Sequence, residues 1–328
     1  MLKTPRFWYQ DHLVSGAVVA NPHFDAYQWL QRRLGQQDKQ GYRASVPVIC
    51  CGGATVGGAG KTTVVQDLAQ RIDGAHILLR GYGAYSNALR RVLPTDSYAA
   101  VGDETLLHAR IAPTWRCGDR GVSARFACHA GAKALIMDDG LQSRSIVRTL
   151  SLLIIDGRVG FGNGKVIPFG PLREPIERVV GKSDLAVVIG ADAHDVARVL
   201  DGRLPVLRAR TEQIIDEAQR TKGPYLAFAG IANPQRFFDA LKNAGLPIAD
   251  TRAFPNHYPY SVRDIVTLVT KARDAGLTLM TTPKDAARFP AELDHAGIEI
   301  AKIGLVWDST DVLRTRLTSL GLAFRDPA

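Results

Sequence analysis

The stretch Val46–Thr63 reads Val-Pro-Val-Ile-Cys-Cys-Gly-Gly-Ala-Thr-Val-Gly-Gly-Ala-Gly-Lys-Thr-Thr. Its first six residues, Val46–Cys51, predict a buried strand, and the amphipathic pattern of Lys61–Ile72 predicts a helix. A glycine-rich loop that joins a strand to a helix and ends in Gly-Lys-Thr is typical of a phosphate-binding P-loop. Glycines let backbone N–H groups turn towards phosphate oxygens, and the helix N-terminus adds partial positive charge. The sequence therefore predicts a site for nucleotide phosphates at this turn.

The residues predicted to bind the phosphates are Thr55, Val56, Gly57, Gly58, Ala59, Gly60, Lys61, Thr62 and Thr63. In such loops the lysine reaches the β- and γ-phosphates and the next hydroxyl binds Mg²⁺, so these roles fall to Lys61 and Thr62, with ATP as the nucleotide. Thr55 stands where the general pattern has glycine. An ordinary glycine-rich turn before a helix is the alternative interpretation.

Short apolar runs alternate with amphipathic segments along most of the chain. Further strands are predicted at Ala75–Leu79, Lys133–Met137, Ser151–Ile155, Leu185–Ile189 and Pro205–Leu207, and further helices at Asp103–Ile111 and Asp119–Ala130. This alternation predicts an α/β fold whose P-loop NTPase-like, mostly parallel sheet is flanked by helices.

A second, smaller α/β domain is predicted after the charged segment Arg208–Gly223, which we interpret as a polar linker. Its predicted strands and helices are Tyr225–Ala229, Pro234–Asn243 (helix), Ile248–Phe254, Val262–Ala275 (helix) and Leu277–Thr282. The predicted domains are therefore residues 1–212, which contain the P-loop and an amino-terminal segment, and residues 213–328.

An acidic pair follows the predicted strand Lys133–Met137, in the sequence Asp138-Asp139-Gly140. A carboxylate at the end of a buried strand beside a P-loop commonly holds Mg²⁺. Asp-Asp-Gly is also an ordinary turn sequence. The sequence favours the metal-binding interpretation and leaves open which aspartate would touch the ion.

Other candidate residues have two interpretations each. Asp103 opens a predicted helix, where it is either a capping residue or the base that accepts the proton of an attacking hydroxyl. Arg173 and Glu174 lie in a long loop, where they could stabilise a transferring phosphate and support a metal. His257 lies in a loop between prolines and is either a surface residue or a hydrogen-bond partner of the base.

The 328 residues carry a formal net charge of +9, which favours an anionic partner or a solvated basic surface. The four cysteines have no metal-ligand spacing. No signal peptide and no apolar run long enough to span a bilayer is found in the sequence. No nucleic-acid-binding motif is found either, so nucleic acid is not expected as a partner.

The amino-terminal segment suits a membrane surface. Phe7–Tyr9 is an aromatic run among basic residues, a mixture typical of segments that lie at the depth of the lipid headgroups in a membrane. Near-helical spacing recurs for the apolar residues Phe24, Tyr27, Leu30 and Leu34. Such a helix could lie in the interface of an anionic membrane, or it could pack on the sheet.

Several strings carry a family resemblance, and they occur in order over nearly the whole chain. They are Phe7–Tyr9, Thr55–Thr62, Arg80–Gly83, Val101–Glu104, Asp138–Gln142, Phe161–Gly164, Gly170–Pro175, Gly230–Pro234, Phe254–His257 and Thr281–Asp285. Together they resemble the tetraacyldisaccharide 4′-kinase family (lipid A 4′-kinase, LpxK) of Gram-negative bacteria. The family loop itself begins Thr-Val-Gly-Gly, which accounts for Thr55.

The resemblance implies a monotopic enzyme at the cytoplasmic face of the inner membrane that uses MgATP. It would phosphorylate the 4′-hydroxyl of a tetraacylated glucosamine disaccharide 1-phosphate and so make lipid IVA. By the same resemblance Asp103 is the general base and His257 its dyad partner. The other roles implied fall on Arg173 near the reacting phosphate, on Gln142 in the disaccharide-binding segment, and on Asp138, Asp139 and Glu174 in the metal group.

Two departures concern the substrate. Ser143 stands where the family usually has histidine, and Asn256 stands where it commonly has aspartate. The alternatives to the family's activity are a P-loop kinase or GTPase that acts on a soluble small molecule, and an ATP-gated module that binds nucleic acid through its positive charge.

Overall fold

The computed structural model describes residues 6–9, 41–80, 87–290, 293 and 297–326. Its strands are β1 (Val48–Gly53), β2 (Ala75–Leu79), β3 (Arg90–Val92), β4 (Thr114–Arg116), β5 (Ala134–Asp138), β6 (Leu150–Asp156), β7 (Leu185–Ile189), β8 (Val206–Ile214), β9 (Tyr225–Ala229), β10 (Ile248–Ala253), β11 (Thr278–Thr281), β12 (Ile298–Ile300) and β13 (Lys302–Trp307). Its helices are α1 (Lys61–Arg71), α2 (Tyr98–Val101), α3 (Asp103–Ala109), α4 (Arg120–His129), α5 (Ile176–Val180), α6 (Val196–Val199), α7 (Glu217–Thr221), α8 (Pro234–Asn243), α9 (Val262–Asp274), α10 (Pro283–Ala286) and α11 (Asp311–Ser319).

The described residues form two compact units. The first is drawn from Met1–Leu79, Asp119–Arg210 and Trp307–Ala328, and the second from Arg80–Gly118 and Thr211–Val306. The sequence predicts two continuous domains, residues 1–212 and 213–328, whereas these units are discontinuous. Composition along a chain does not reveal that a segment leaves one unit and returns to it, which is why the two divisions differ.

The first unit is built on a parallel sheet. Within it the strand order is β8-β7-β6-β1-β5-β2, and each neighbouring pair is parallel. Every residue of β1, β2, β5 and β7 is buried, as expected for parallel strands covered by helices on both faces. The predicted α/β fold with a mostly parallel sheet is confirmed, and the unbroken apolar runs are its cause.

The register of the central strands brings three loops to one edge of this sheet. Cys51 of β1 lies opposite Asp138 at the end of β5, and Gly53 lies opposite Ile154 near the end of β6. Parallel strands end at the same edge, and ligands of open α/β sheets bind outside that edge. The loops after β1, β5 and β6 therefore leave the sheet as neighbours.

The segment expected to be a polar linker is ordered secondary structure. From Leu207 onward, buried or half-buried residues of β8 alternate with exposed residues. Helix α7 follows this strand, and a capping box between Asp216 and Gln219 closes its N-terminus. The interpretation as a linker was wrong because it considered only the charged residues. In a strand, alternate residues face opposite sides, so charged side chains can occupy the solvent side.

The second unit has its own parallel sheet, in the order β10-β9-β11-β12. Alternate residues of β9 face two different cores. Leu226 and Phe228 pack with residues of α9, whereas Tyr225 and Ala227 pack with residues of α8. The predicted second α/β unit is therefore present, with helices covering both faces of a small sheet.

The second unit also contains a short antiparallel pair, β3 with β4. The sequence pattern did not predict it, because three-residue strands are too short to show a period.

The described part of the amino-terminal segment is a 3₁₀ turn at Arg6–Tyr9. Trp8 Nε1 donates to Pro168 O at 3.0 Å, and Trp8 O accepts from Asn163 N at 2.9 Å, so this turn is fixed to the long loop after β6. The predicted interfacial helix around Phe24 lies outside the described residues. Within those residues no helix has the length and apolar character needed to cross a bilayer.

A buried ion pair within α1 is hydrogen-bonded to Trp307 of the same unit. Arg71 Nε donates to both oxygens of Asp67 at 2.9 Å, and Trp307 Nε1 donates to Asp67 Oδ2 at 2.8 Å. We expect Asp67→Ala to lower the free energy of unfolding by about 3–5 kcal/mol, because the buried Arg71 charge would keep only the exposed Asp326 carboxylate, at 3.9 Å, as an anionic neighbour. Urea-induced unfolding measures this change.

The control is Asp73→Ala, which removes a half-exposed carboxylate paired with the exposed Lys133. Exposed pairs contribute about 0–1 kcal/mol, so this variant should unfold nearly as the native chain does. Equal effects of Asp67→Ala and Asp73→Ala would contradict the assignment of Asp67 to a stabilising buried pair.

Candidate active site

The loop between β1 and α1 is a tight turn that depends on glycines. Gly57 has φ 122° and Gly60 has φ 80°, values that L side chains rarely adopt. A Cβ on Gly60 would lie 2.7 Å from Ile189 Cδ1, so the loop also passes close to β7. Lys61 begins α1, and its Nζ donates to Gly57 O at 3.3 Å. Six of the nine predicted phosphate-binding residues thus form the turn before α1, and the other three, Lys61–Thr63, are the first residues of that helix.

The long loop after β6 pairs with this turn through the backbone. Val56 N donates to Pro171 O at 2.8 Å, and Arg173 N donates to Ala54 O at 2.8 Å. This pairing brings Arg173 and Glu174 beside the phosphate loop, although they lie far along the chain from it.

Asp139 lies between two cations. Arg173 Nη1 donates to Asp139 Oδ2 at 2.7 Å, and Lys61 Nζ lies 3.8 Å from Asp139 Oδ1. The residue has φ 52°, a conformation in which aspartate is more common than most residues. Its Oδ1 is buried and accepts no hydrogen bond from any described group. Such an oxygen is better explained by a cation-binding site than by an ordinary Asp-Asp-Gly turn.

Asp138 is buried at the end of β5. Its backbone O accepts from Arg120 Nη2 at 2.9 Å, and the same Nη2 donates to Asp139 O at 3.0 Å. Arg120 therefore fixes the backbone that carries both predicted metal ligands. In the described ranges no three His, Cys, Asp or Glu side chains are close enough to share one ion.

The Glu174 carboxylate is bound by the side chains of Gln142 and Lys182. Its Oε1 accepts from Gln142 Nε2 at 3.0 Å, and its Oε2 lies 2.6 Å from Lys182 Nζ. Burial lowers the pKa of Lys182, although the Glu174 carboxylate acts in the opposite direction. The predicted substrate residue Gln142 and the predicted metal residue Glu174 are thus in direct contact.

A basic groove of about 350 Å³ lies next to this pair. Its lining consists of Leu141, Gln142, Ser143, Arg144, Arg148, Glu177, Arg178, Gly181 and Lys182. Four of these side chains are cationic, so the groove suits an anionic group. Ser143, the departure from the family pattern, is one of the lining residues.

In the second unit Asp103 is the first residue of α3 and meets His257. His257 Nδ1 lies 3.2 Å from Asp103 Oδ2. A carboxylate only accepts, so the proton of this hydrogen bond is carried by Nδ1. His257 has φ 58°, and its backbone N donates to Gly230 O at 2.9 Å, which fixes the loop that presents the ring. The predicted base and its predicted partner are therefore brought into contact.

A third residue, Arg288, completes this group. Its Nε donates to Asp103 Oδ2 at 3.0 Å. Burial by itself would raise the pKa of the Asp103 carboxyl, but Arg288, then His257 and Lys284, outweigh it and hold the pKa below its ordinary value. Asp103 therefore remains an ionised hydrogen-bond acceptor at neutral pH although its side chain is mostly buried.

Sequence reasoning missed Arg288, Arg120 and Lys182. Arg288 follows the string Thr281–Asp285 by three residues and is 1 % exposed, yet a buried arginine and a surface arginine look alike in sequence. Arg120 and Lys182 lie at the first turn of α4 and just after α5, where basic residues have no distinctive signal. None of the three falls within the strings that carry the family resemblance.

The comparisons with known proteins identify the family of this chain. A family model described as LpxK, Tetraacyldisaccharide-1-P 4′-kinase, matches residues 20–320. The chain belongs to this family.

Relatives of the family share sequence with nearly the whole chain. A tetraacyldisaccharide 4′-kinase of Paramagnetospirillum magneticum is 39 % identical over 327 residues, which cover 98 % of this chain and 99 % of the relative. A tetraacyldisaccharide 4′-kinase of Gluconacetobacter diazotrophicus is 44 % identical over 272 residues, which cover 81 % and 83 %.

A solved structure shows the same fold. It is described as the apo form of LpxK from Aquifex aeolicus in complex with ATP, and it superposes with a TM-score of 0.74 at 23 % identity, covering 91 % of this chain and 95 % of that one. The LpxK fold is therefore shared although most side chains differ.

The phosphate loop of this LpxK family member should tolerate a side chain at Gly58 but not at Gly60. We expect Gly60→Ala to destabilise the protein by at least about 1–2 kcal/mol, the cost of a left-handed backbone for alanine, with the clash against Ile189 added. It should also weaken binding of a non-hydrolysable ATP analogue. Urea unfolding and isothermal titration calorimetry measure the two effects.

Gly58→Ala is the matched control, since Gly58 is exposed and a Cβ there meets no atom of the described residues within 4 Å. Its stability should stay within about 0.5 kcal/mol of the native value. If both variants bound the analogue with native affinity, the turn would not be the nucleotide site.

Proposed function

We propose that this protein transfers the γ-phosphate of ATP to the 4′-hydroxyl of a tetraacylated glucosamine disaccharide 1-phosphate, which makes lipid IVA. Family membership supports the reaction and the substrate. The observation that carries the mechanism is chemical: one unit holds a glycine turn with Lys61, Arg173 and Asp139, and the other holds an ionised carboxylate, Asp103, paired with His257. Phosphoryl transfer requires both kinds of group.

On the nucleotide side, the loop amides and the N-terminus of α1 would bind the β- and γ-phosphates. Lys61 Nζ now donates to Gly57 O and would move to a phosphate oxygen when the nucleotide enters. Arg173, placed beside the loop by its backbone pairing with Ala54, would neutralise charge that develops on the transferring group.

The oxygen donors near the loop fit Mg²⁺, which prefers hard oxygen ligands. Thr62, Asp138 and Asp139 would hold the ion, and the buried Oδ1 of Asp139 is the oxygen best prepared for it. Mg²⁺ bound there would neutralise phosphate charge during transfer. Glu174 would support this group indirectly, because its carboxylate already pairs with Lys182 and Gln142.

On the acceptor side, Asp103 would take the proton of the 4′-hydroxyl as the oxygen attacks phosphorus. Among the described residues, two donors point at Oδ2, His257 and Arg288, whereas Oδ1 accepts the backbone N–H of Glu104 at 2.9 Å. A carboxylate offers about four lone-pair sites. Oδ1 is therefore the oxygen with room for the substrate proton, and His257 keeps the carboxylate in place.

The acylated substrate implies work at a membrane surface, which we propose to be the cytoplasmic face of the bacterial inner membrane, with monotopic attachment. The amphipathic segment around Phe24 would lie in the interface. The Trp8 turn would connect that segment to the loop that pairs with the phosphate turn. The cations of the basic groove would suit a phosphate of the disaccharide, and Gln142 in its lining would contact the sugar.

The decisive experiment incubates the purified protein with γ-labelled ATP, Mg²⁺ and tetraacyldisaccharide 1-phosphate in mixed micelles. We expect label in a product with one more phosphate, and we expect Lys61→Ala to reduce kcat by at least about 10²–10³, because one electrostatic stabiliser of the transferred group is lost.

Lys133→Ala is the control for the loss of a lysine, since Lys133 is exposed and pairs only weakly with Asp73. It should retain native kcat. Absence of labelled lipid from the native protein, with transfer to a soluble acceptor instead, would refute the proposed substrate and favour the small-molecule kinase.

Membrane attachment is tested by replacing Phe24, Tyr27, Leu30 and Leu34 with serine. We expect at least about tenfold weaker sedimentation with vesicles of phosphatidylethanolamine and phosphatidylglycerol, because four apolar side chains would no longer enter the interface. Transfer to the lipid substrate should fall in parallel.

Leu93→Ser, which removes an apolar side chain that is 51 % exposed, controls for a general loss of surface hydrophobicity and should sediment as the native protein does. Native vesicle binding by the quadruple variant would show that this segment is not the membrane contact.

A further inference from the structure

Arg288 is the largest of the fully buried side chains and stands just after α10. A guanidinium keeps its charge in proteins, so burying one is costly unless anions and carbonyls surround it. Arg288 Nη1 donates to Gly230 O at 3.0 Å and lies 3.2 Å from Asp285 Oδ1, and Nε donates to Asp103 Oδ2 at 3.0 Å. One arginine thus joins the proposed base to the core of its unit.

The far end of this connection is rigid. Asp285 is fully buried and accepts from Gly230 N at 2.8 Å, from Tyr260 Oη at 2.9 Å and from Thr282 Oγ1 at 2.6 Å. Burial, followed by the neighbouring Asp285 carboxylate, raises the pKa of Tyr260, so the phenol stays a hydrogen-bond donor. Asp285 therefore has little freedom to move. Its carboxylate, 3.2 Å from Arg288 Nη1, fixes the orientation of the guanidinium.

One nitrogen of the Arg288 guanidinium has no acceptor among the described residues. Arg288 Nη2 is buried, and no described group accepts a hydrogen bond from it. An unsatisfied buried donor costs about 1–3 kcal/mol. A purely structural arginine would gain by turning this group to a carbonyl, whereas the observed orientation directs Nε at the Asp103 carboxylate.

We propose that Arg288 is a positioning residue for the transfer reaction: it fixes the orientation of the Asp103 carboxylate and keeps it charged, while His257 binds the same oxygen from the exposed side. This inference rests on the proposed role of Asp103 as base. With Oδ2 occupied by Arg288 and His257, Oδ1 is the oxygen presented to the substrate hydroxyl. In this proposal Asp285 fixes Arg288, and Arg288 orients the carboxylate that accepts the substrate proton.

The charged groups that face Asp103 are Arg288, His257 and Lys284, and Lys284 itself pairs with Glu104 at 2.6 Å. Because burial raises the pKa of Asp103 and Arg288 is the first of the groups that lower it, loss of Arg288 should move the pKa upward. Protonation of the base would then begin at a higher pH, and kcat/KM would fall there.

The test uses the double variant Asp285→Asn/Arg288→Met, with Asp285→Asn alone as its matched control. Removing both charges avoids leaving either one buried without a partner, and the single variant keeps the Arg288–Asp103 contact. Relative to the control, the double variant should lose at least about tenfold in kcat, and at most the 10²–10⁴ that a positioned base supplies. The acid limb of its kcat/KM profile should lie at higher pH, with KM for ATP unchanged.

An activity-independent readout accompanies the kinetics. The Asp103 carboxyl carbon, labelled with ¹³C and identified by its disappearance in Asp103→Asn, should titrate at higher pH in the double variant than in Asp285→Asn. Equal titrations and equal kcat in the two proteins would overturn the proposal. Native kcat in Asp103→Asn would instead refute the base assignment, whatever Arg288 does.

If the double variant does not fold, Arg288→Lys decides the question. Lysine keeps the charge, but its single ammonium group does not reproduce the fork that spans Gly230 O, Asp285 and Asp103. We then expect lower kcat with native ATP affinity. Native kcat in a folded Arg288→Lys protein would overturn the proposed orienting role.

Discussion

The parallel pairing of β1 with β5 and β6 is the constraint on which the proposed phosphate site of this protein depends. Because Cys51 lies opposite Asp138, the glycine turn after β1 and the acidic pair after β5 leave the sheet side by side. These strands are buried on both faces, so a shift of register would move the acidic pair along the edge and misalign the loops. The short distances among Lys61, Asp139 and Arg173 follow from this register.

The proposed acceptor side depends on a different interaction, a buried chain of charges. Asp103 meets His257 across 154 residues of sequence and Arg288 across 185, and Asp285 fixes Arg288 within the core. These contacts join the start of α3, the loop after β10 and the turn after α10 into one group. The result is a carboxylate that stays ionised although it is mostly buried, which is the state a general base requires.

The secondary structure was largely predictable, and the reason is the burial of the sheet. Apolar runs such as Ala75–Leu79 and Leu185–Ile189 coincide with β2 and β7 because a strand covered on both faces admits few polar residues. The charged half of β8 was misread as a linker, because one face of that strand is exposed. The two units also differ from the predicted domains, since their segments interleave along the chain.

The sequence by itself determined the glycine turn, the acidic pair and the family. Each of these is recognised from short runs of neighbouring residues, by the residue types that the backbone conformation requires or by the order of the motifs along the chain. Only the tertiary structure decided that His257 and Arg288 share one oxygen of Asp103, that Glu174 pairs with Lys182, and that one buried oxygen of Asp139 accepts no hydrogen bond from the part of the chain that the structure describes. The physical reason is that electrostatic contacts between distant segments depend on burial and distance, and neither quantity is written in the order of the residues.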